Sequence, residues 1–381
     1  MVVKFNYTYY TDEQNTTQYR YTFDQPCVSH VAHTLEKVGQ VVAQAEKLQS
    51  AGYYVALYLP YEAAPYYNAQ FQTYTPIDGI YAACYAFEAP VDTDTLDDDK
   101  LIEQVEMPAF TFIETQEAIT ESIREIQRQI VDGWTYQVNY TTRLEAPATT
   151  SIGTLYERLT QQANGSYTAL IDTEDLQIAS ISPELFFQVG VFDGDECTVM
   201  SKPMKGTMPR GKTAAEDQAN YETLRQSAKD RAENIMIVDL LRNDIARVAQ
   251  QGTVRVGALC AIETYPTVYQ MTTMVLGTID AQETTLNDLL GALFPCGSIT
   301  GAPKVNTMSI IQRLESTPRH CYCGTIGLLH PEGNAVFNVP IRTIQQLDSR
   351  LVYGVGAGIT IDSDPEQEYN EFQDKTLILK G

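Results

Sequence analysis

Tyr167–Met200 reads YTALIDTEDLQIASISPELFFQVGVFDGDECTVM, and within it Tyr167 to Ile171, Gln177 to Ile181, Leu185 to Val189 and Cys197 to Met200 form four short apolar runs. Runs of this length, rich in β-branched and aromatic residues, read as strands following one another in a meander. A doubly wound parallel sheet requires strands and helices in regular alternation, which this order does not supply.

Outward from this stretch the pattern stays irregular. Val31, Leu35, Val38, Val42, Ala45 and Leu48 recur at steps of three and four, the spacing of an amphipathic helix, with Gly52 as its stop and Tyr53 to Leu59 as the next strand. Ile119, Ile123, Ile126 and Ile130 mark a second helix that ends at Gly133, and Tyr136 to Leu144 alternates like a strand. A long helix is expected over Asn220 to Gln250, closed by Gly252. Val254 to Ile279 has strand character, Leu286 to Phe294 and Val305 to Leu314 are helical, and Tyr322 to Ile361 holds several strands around a turn at Pro331 to Asn334. Asp364 as N-cap and Pro365 as first helical residue open a final helix to about Leu379. The expected fold class is therefore mixed α and antiparallel β. The acidic segment from Pro90 to Lys100 lacks periodicity and reads as a linker or surface loop. It suggests an N-terminal subdomain (1–105) belonging to the same two-lobed body as a catalytic domain (106–381).

The 381 residues contain 49 Asp plus Glu against 26 Lys plus Arg, a formal charge of -23. Such a body repels nucleic acid and anionic membrane surfaces, although one local cationic cluster can still receive a small anion. The first 30 residues hold no apolar signal region, and no stretch approaches the ~20 apolar residues of a membrane span, so a cytoplasmic protein is expected. Seven cysteines without a CxxC pair form neither a disulfide framework nor a zinc pattern, and four histidines leave little for triad chemistry. Carboxylates and lysines are left as the candidate chemical groups.

Three stretches could carry chemistry. Lys202 to Gly211 (KPMKGTMPRG) reads as a strand end running into a Gly and Pro turn with three cations; on spacing alone a turn of solvated lysines is the commoner meaning. Glu368 and Glu371, three apart, share one helix face and suit a hard cation such as Mg²⁺, with Glu233 as a third carboxylate, yet on spacing alone an acidic first turn and a solvated helix charge are the commoner meanings. Phe294 to Lys304 (FPCGSITGAPK) opens a helix where free backbone N–H groups could receive an anion, without the Lys and Ser or Thr of a P-loop. Gly354-Val355-Gly356-Ala357-Gly358 lacks the glycine spacing and βαβ context of a dinucleotide fingerprint.

In this order, Ser182-Pro183-Glu184, Pro203 to Gly211, Ala232 to Asp244 (AENIMIVDLLRND), Gly297 to Lys304, Tyr322 to Gly327, Ile341-Arg342-Thr343 and Gly356 to Glu371 resemble the chorismate-utilising enzymes. Within that family they look most like the aminodeoxychorismate synthase component I branch, a relative of anthranilate synthase component I and of the isochorismate and salicylate synthases. The resemblance runs through about residues 115 to 381. It implies two large antiparallel β-sheets packed face to face with helices outside. It also implies chorismate as substrate, Mg²⁺ held by Glu233 and Glu371 with Glu368 adjacent, and Tyr322 and Arg342 on the enolpyruvyl carboxylate. Gly356 and Gly358 bring backbone close to the substrate, and Thr207, Ser298 and Thr300 are further substrate-binding candidates.

The branch is set by the residue before Gly206, which is Ala in anthranilate and isochorismate synthases and Lys in the aminodeoxychorismate branch; here it is Lys205. The implied chemistry is attack of Lys205 on chorismate, Glu184 acting as general acid, and displacement of the lysine by ammonia. Gln137 stands where isochorismate and salicylate synthases carry a water-activating Lys, and an amide cannot be that base. Gln270 stands where the anthranilate branch commonly has His, and Cys296 where the family often has Gly or Ala. Of the first 110 residues, mainly Tyr61-Glu62-Ala63-Ala64 matches. The Leu-Leu-Glu-Ser segment of a tryptophan-sensing pocket is absent. No stretch resembles a glutamine amidotransferase, so the ammonia is expected from a separate glutaminase subunit, and the end at Gly381 leaves no room for a fused lyase. The rival readings are anthranilate synthase component I and a non-catalytic chorismate-binding protein.

Overall fold

The computed structural model describes residues 1–91, 106–162 and 165–380. In chain order its strands are β1 (Val2–Tyr10), β2 (Thr16–Asp24), β3 (Val28–Ala32), β4 (Tyr54–Leu59), β5 (Ala82–Phe87), β6 (Thr111–Phe112), β7 (Gln137–Pro147), β8 (Tyr167–Asp172), β9 (Gln177–Ser182) and β10 (Leu185–Phe192). They continue with β11 (Asp195–Lys202), β12 (Met204–Pro209), β13 (Arg255–Thr264), β14 (Val268–Thr278), β15 (Gly301–Ala302), β16 (Thr325–Leu329), β17 (Ala335–Asn338), β18 (Thr343–Leu347) and β19 (Arg350–Ile359). The helices are α1 (Val38–Ser50), α2 (Ala64–Tyr67), α3 (Gln116–Val131), α4 (Ile152–Gln162), α5 (Ala214–Gln226), α6 (Ala228–Ala246), α7 (Leu286–Leu293), α8 (Lys304–Leu314) and α9 (Pro365–Asp374).

One sheet has the order β15-β7-β19-β18-β9-β8-β1-β2, with β6 against β7. The other runs β12-β14-β11-β10-β17-β16-β4-β5-β3, with β13 against β14. The strands before residue 90 join both sheets: β1 pairs with β8, and β4 pairs with β16. Packing follows from the two-residue period of a strand. Along β4, Val55, Leu57 and Leu59 meet α1 and α7, whereas Ala56 and Tyr58 turn toward Phe5, Tyr7 and Tyr167 of the opposite sheet. A third cluster seals α3, α4, α8 and α9 onto the outer face of the first sheet. Each fully buried Leu, Ile, Val or Phe contributes about 1.5–3 kcal/mol. The mixed α and antiparallel β architecture, two large packed sheets flanked by helices, is the one expected.

Several local expectations are corrected. The four runs do not form one meander, because β9 and β10 belong to different sheets. Pro183 has no N–H to continue the ladder, and Glu184 donates its own N–H to Ser182 Oγ at 3.1 Å, so the chain crosses between sheets at this point. The long helix is two helices, broken at Ser227 (φ -62°, ψ 108°), whose hydroxyl accepts the Asp230 N–H and caps α6. Val31 lies in β3, paired with Ala83 of β5, so the first helix starts later than its apolar pattern. The last helix stops at Asp374, and Leu377–Leu379 forms a separate 3₁₀ turn. Lys202 to Gly211 is no surface turn: β12 pairs with β14, and Lys202 is buried against Glu263 and the Tyr10 hydroxyl. The acidic linker expected at Pro90 to Lys100 falls, from residue 92 onward, outside the described residues.

Candidate active site

Glu184 sits at the crossing between the sheets and is buried. Ser298 donates its hydroxyl hydrogen to Glu184 Oε1 at 2.7 Å, and Cys296 Sγ lies 3.2 Å from the same Ser298 Oγ. Burial pushes the Glu184 carboxyl above its ordinary pKa, while the Ser298 bond and the Lys205 charge pull it back. The Phe294 to Lys304 stretch differs from an anion-binding helix start. Gly297–Ile299 is a 3₁₀ turn, the N–H groups of Ile299 and Thr300 bond to Cys296 O and Gly297 O, and the buried Thr300 hydroxyl bonds to Cys296 O. Lys304 is tied to Asp244 Oδ2 at 2.7 Å and to Leu293 O.

Lys205 is half-buried on β12, where the pairing with β14 shifts register between Met204 and Thr207. Gly206 takes φ 85°, and a Cβ there would stand 2.8 Å from the Asp230 side chain on the first turn of α6. The missing side chain lets α6 approach β12, so the Lys205 charge reaches both Glu184 and Glu233, lowering each. On the far side lies Gly358, where a Cβ would be 3.7 Å from Lys205 Nζ and only 2.1 Å from Gln137 Nε2. Gln137 Oε1 is buried without a hydrogen-bond partner. Thr207, exposed, bonds to Gln270.

Glu233 on α6 and Glu368 and Glu371 on α9 share an electrostatic neighbourhood. Burial raises the pKa of Glu233 and of Glu368, and the Glu371 charge raises both further. Ser363 donates to Glu368 Oε1 at 2.7 Å, whereas Glu371 pairs with Lys375 at 2.7 Å. Among the described residues, no three His, Cys, Asp or Glu side chains stand close enough together to enclose a metal ion. The donor chemistry nevertheless fits Mg²⁺: all donors are carboxylate oxygens, and the Glu371 charge, which raises the pKa of the other two, favours a cation near them. Glu371 would exchange Lys375 for such an ion.

Tyr322 is buried with its ring flat on Gly354, where a Cβ would be 2.3 Å from the ring, and Arg143 stands 5.4 Å from its centroid. Arg342 is exposed, takes φ 52° just before β18, and its carbonyl accepts the Ile181 N–H. At Gly356 the close approach is by β7 itself: a Cβ would be 2.5 Å from Thr141 Cγ2 and 2.6 Å from Tyr140 O. Its carbonyl accepts from Lys375 Nζ.

Beneath the site lies a buried ionic layer that the sequence reading missed. Arg319 donates to Ile299 O and Asn139 O, both at 2.8 Å, tying the Ser298 loop to β7, and pairs with Glu315. Glu62 accepts the backbone N–H groups of Arg319 (2.7 Å) and His320 (2.9 Å), fixing the turn that carries Tyr322. The signal was Tyr61-Glu62-Ala63-Ala64, a charge set among apolar and small residues.

The family model described as chorismate binding enzyme matches residues 80–380. The chain is 39% identical over 267 residues to aminodeoxychorismate synthase component 1 of Escherichia coli K12, covering 70% of this chain and 58% of that protein. It is 37% identical over 265 residues to an anthranilate synthase component 1 of Haloarcula marismortui, covering 70% and 53%. Anthranilate synthase component I from Streptococcus pneumoniae superposes with a TM-score of 0.75 at 22% identity, covering 99% of this chain and 90% of that one, a likeness of fold. The chain belongs to the chorismate binding enzyme family. It spans a little over half the length of the curated relatives it matches.

Proposed function

We propose that the chain is the synthase component that converts chorismate and ammonia to 4-amino-4-deoxychorismate, on the way to 4-aminobenzoate and folate. The observation that carries this reading is Lys205, an amine whose charge acts on both the buried Glu184 and the acidic Glu233 and whose end lies against Gly358. A surface lysine has no such neighbours. The likeness in sequence to a protein named aminodeoxychorismate synthase component 1 supports the same reading, and the word component supports a partner subunit, which in this reading is the glutaminase that supplies ammonia.

Tyr322 and Arg342 hold the enolpyruvyl carboxylate, the guanidinium matching its planar pair of oxygens. Glu233 and Glu371, with Glu368 adjacent, would hold Mg²⁺, which would supply positive charge for the ring carboxylate. Lys205 passes a proton to Glu184 and, as the free amine, forms a bond to C2 as the ring double bonds shift and the C4–O bond breaks. Glu184, whose pKa burial raises, gives this proton to the departing oxygen, which leaves as water. The lysine nitrogen loses a further proton on bonding, which Glu184 takes up and so is restored as the acid. Ammonia then forms the C4–N bond as the C2–N bond breaks, and a proton passes from the new amine to the expelled lysine, so the net change is ammonia in and water out. Ser298 holds Glu184 in line, and Thr207 and Thr300 flank the lysine strand and the pocket loop.

The test is mass spectrometry of the product from chorismate, Mg²⁺ and ammonium, with Lys205→Ala and metal-free controls. A product that keeps the enolpyruvyl group and carries nitrogen at C4, lost in Lys205→Ala, is expected. Anthranilate with pyruvate, or unchanged chorismate, would overturn the proposal.

A further inference from the structure

β12 is the edge strand of its sheet, and its partner β14 pairs with it at Met204↔Thr272 and again at Thr207↔Gln270. Lys205 and Gly206 therefore face Met271 alone, two residues against one. That is a β-bulge, a device that turns a side chain away from the regular strand direction. A bulge on an edge strand is held from one side of the ladder only, so its shape depends on whatever else grips it.

Two contacts grip this one. On its helical side Asp230 packs against the bare Cα of Gly206. On its strand side the Gln270 amide uses both ends: Nε2 donates to Gly206 O at 2.9 Å, and Oε1 accepts from the Thr207 hydroxyl at 2.8 Å. One side chain thus fixes the two residues that follow Lys205. We infer that Gln270 is a positioning residue that holds the bulge closed and thereby sets the aim of the Lys205 amine. It acts on the lysine through the backbone of Gly206 and through Thr207. The inference rests on the reading of Lys205 as nucleophile.

The experiment compares Gln270→Met and Gln270→Glu with the parent in the ammonium-dependent conversion of chorismate. Methionine removes both hydrogen bonds at similar volume; glutamate keeps the acceptor but sets a carboxylate oxygen against Gly206 O. Misplacing a reacting group by about 1 Å can cost on the order of a hundred-fold in rate. Both variants are therefore expected to lose about ten- to hundred-fold in kcat with the KM for chorismate within about two-fold, because Tyr322, Arg342 and the three carboxylates stand on other elements. Glutamate should be at least as impaired as methionine. A role confined to stability would instead lower the unfolding temperature and leave the turnover of the folded enzyme alone. A kcat within two-fold of the parent, or a loss lying wholly in KM, overturns the inference. If Gln270→Met does not fold, Gln270→Glu, of the same shape as the parent, carries the test. Lys205→Ala separates the two levels: its full activity would remove the nucleophile itself, whereas an inactive Lys205→Ala beside an unchanged Gln270→Met removes only the positioning role.

Discussion

Ser298 donates its hydroxyl hydrogen to Glu184 Oε1 across 2.7 Å, joining the pocket loop to the crossing between the two sheets. Burial raises the Glu184 pKa, and this bond is the first of two effects that lower it again. Ser298→Ala removes a lowering cause, so the Glu184 pKa rises further. Since Glu184 must be protonated to act as an acid, the alkaline limb of kcat/KM should move to higher pH. A limb that stays put or moves down would separate Ser298 from the acid.

Glu62 makes stability depend on pH. Its carboxyl is pushed by burial from 4.5 to about 7, with the Arg319 and His320 N–H groups opposing. A raised folded-state pKa means that the folded protein holds the proton more tightly than the unfolded chain. The stabilisation is complete below the unfolded value of 4.5 and is lost as pH rises to about 7. The loss is of order 3 kcal/mol at most. Glu62→Gln cannot titrate, so its stability relative to the parent should improve between pH 4.5 and 7.5. Urea unfolding of both proteins at the two ends of that range measures it, and a parallel pair of curves would refute the assignment.

The architecture was legible because strand and helix periods are local properties: α3 lies under its isoleucine stripe, and α9 begins at Asp364-Pro365 as those residues dictate. What was not legible is decided by partners distant in sequence. No local pattern tells that β9 and β10 enter different sheets, because both strands are buried on both faces and lose the alternation that would distinguish them. Ser227 breaks the helix through a cap that a helical apolar pattern conceals. At the site, Glu184 and Lys205 were readable through their motifs, whereas the buried pair Arg319–Glu315 was not, since a buried ion pair looks in sequence like two surface charges. Gly356 and Gly358 were read alike, yet the first accommodates β7 and the second the Gln137 amide and the lysine.

The part played by Gly358 can be tested with two alanines, one there and one at Gly301. At Gly358 a Cβ meets the far end of the Gln137 side chain first, Nε2 at 2.1 Å and Cδ at 3.3 Å, and then Lys205 Nζ at 3.7 Å. A flexible amide can swing aside, so Gly358→Ala should fold with a loss of about 1 kcal/mol or less and yet lose most turnover, because the displaced Gln137 moves into the space beside the lysine. Gly301 has φ 131° and Gln137 O at 2.0 Å from the Cβ position, with no flexible atom to yield. Gly301→Ala should cost several kcal/mol, on the order of the largest single-substitution effects. Thermal unfolding and kcat of the two variants side by side decide it: equal destabilisation would show that both glycines serve packing alone.

Arg319 joins Ile299 O, Asn139 O and Glu315, and Glu315 accepts in addition from Arg143 at 3.3 Å and from the Thr141 N–H. All three charged side chains are almost wholly buried. Glu315 stands between two guanidinium groups, so Glu315→Leu strands both, and removing one partner of a buried ion pair typically costs about 3–5 kcal/mol. That is a large part of the 5–15 kcal/mol, roughly, that holds a folded domain together. Arg319→Met leaves Glu315 paired with Arg143, so it should cost less stability, while loosening the Ser298 loop and so reducing activity. Urea unfolding and kcat of the two variants check this: Arg319→Met is expected to unfold at higher urea than Glu315→Leu and yet to be impaired in turnover. An Arg319→Met variant less stable than Glu315→Leu would assign the larger loss to the carbonyl bonds at Ile299 and Asn139 instead of to the unpaired charges.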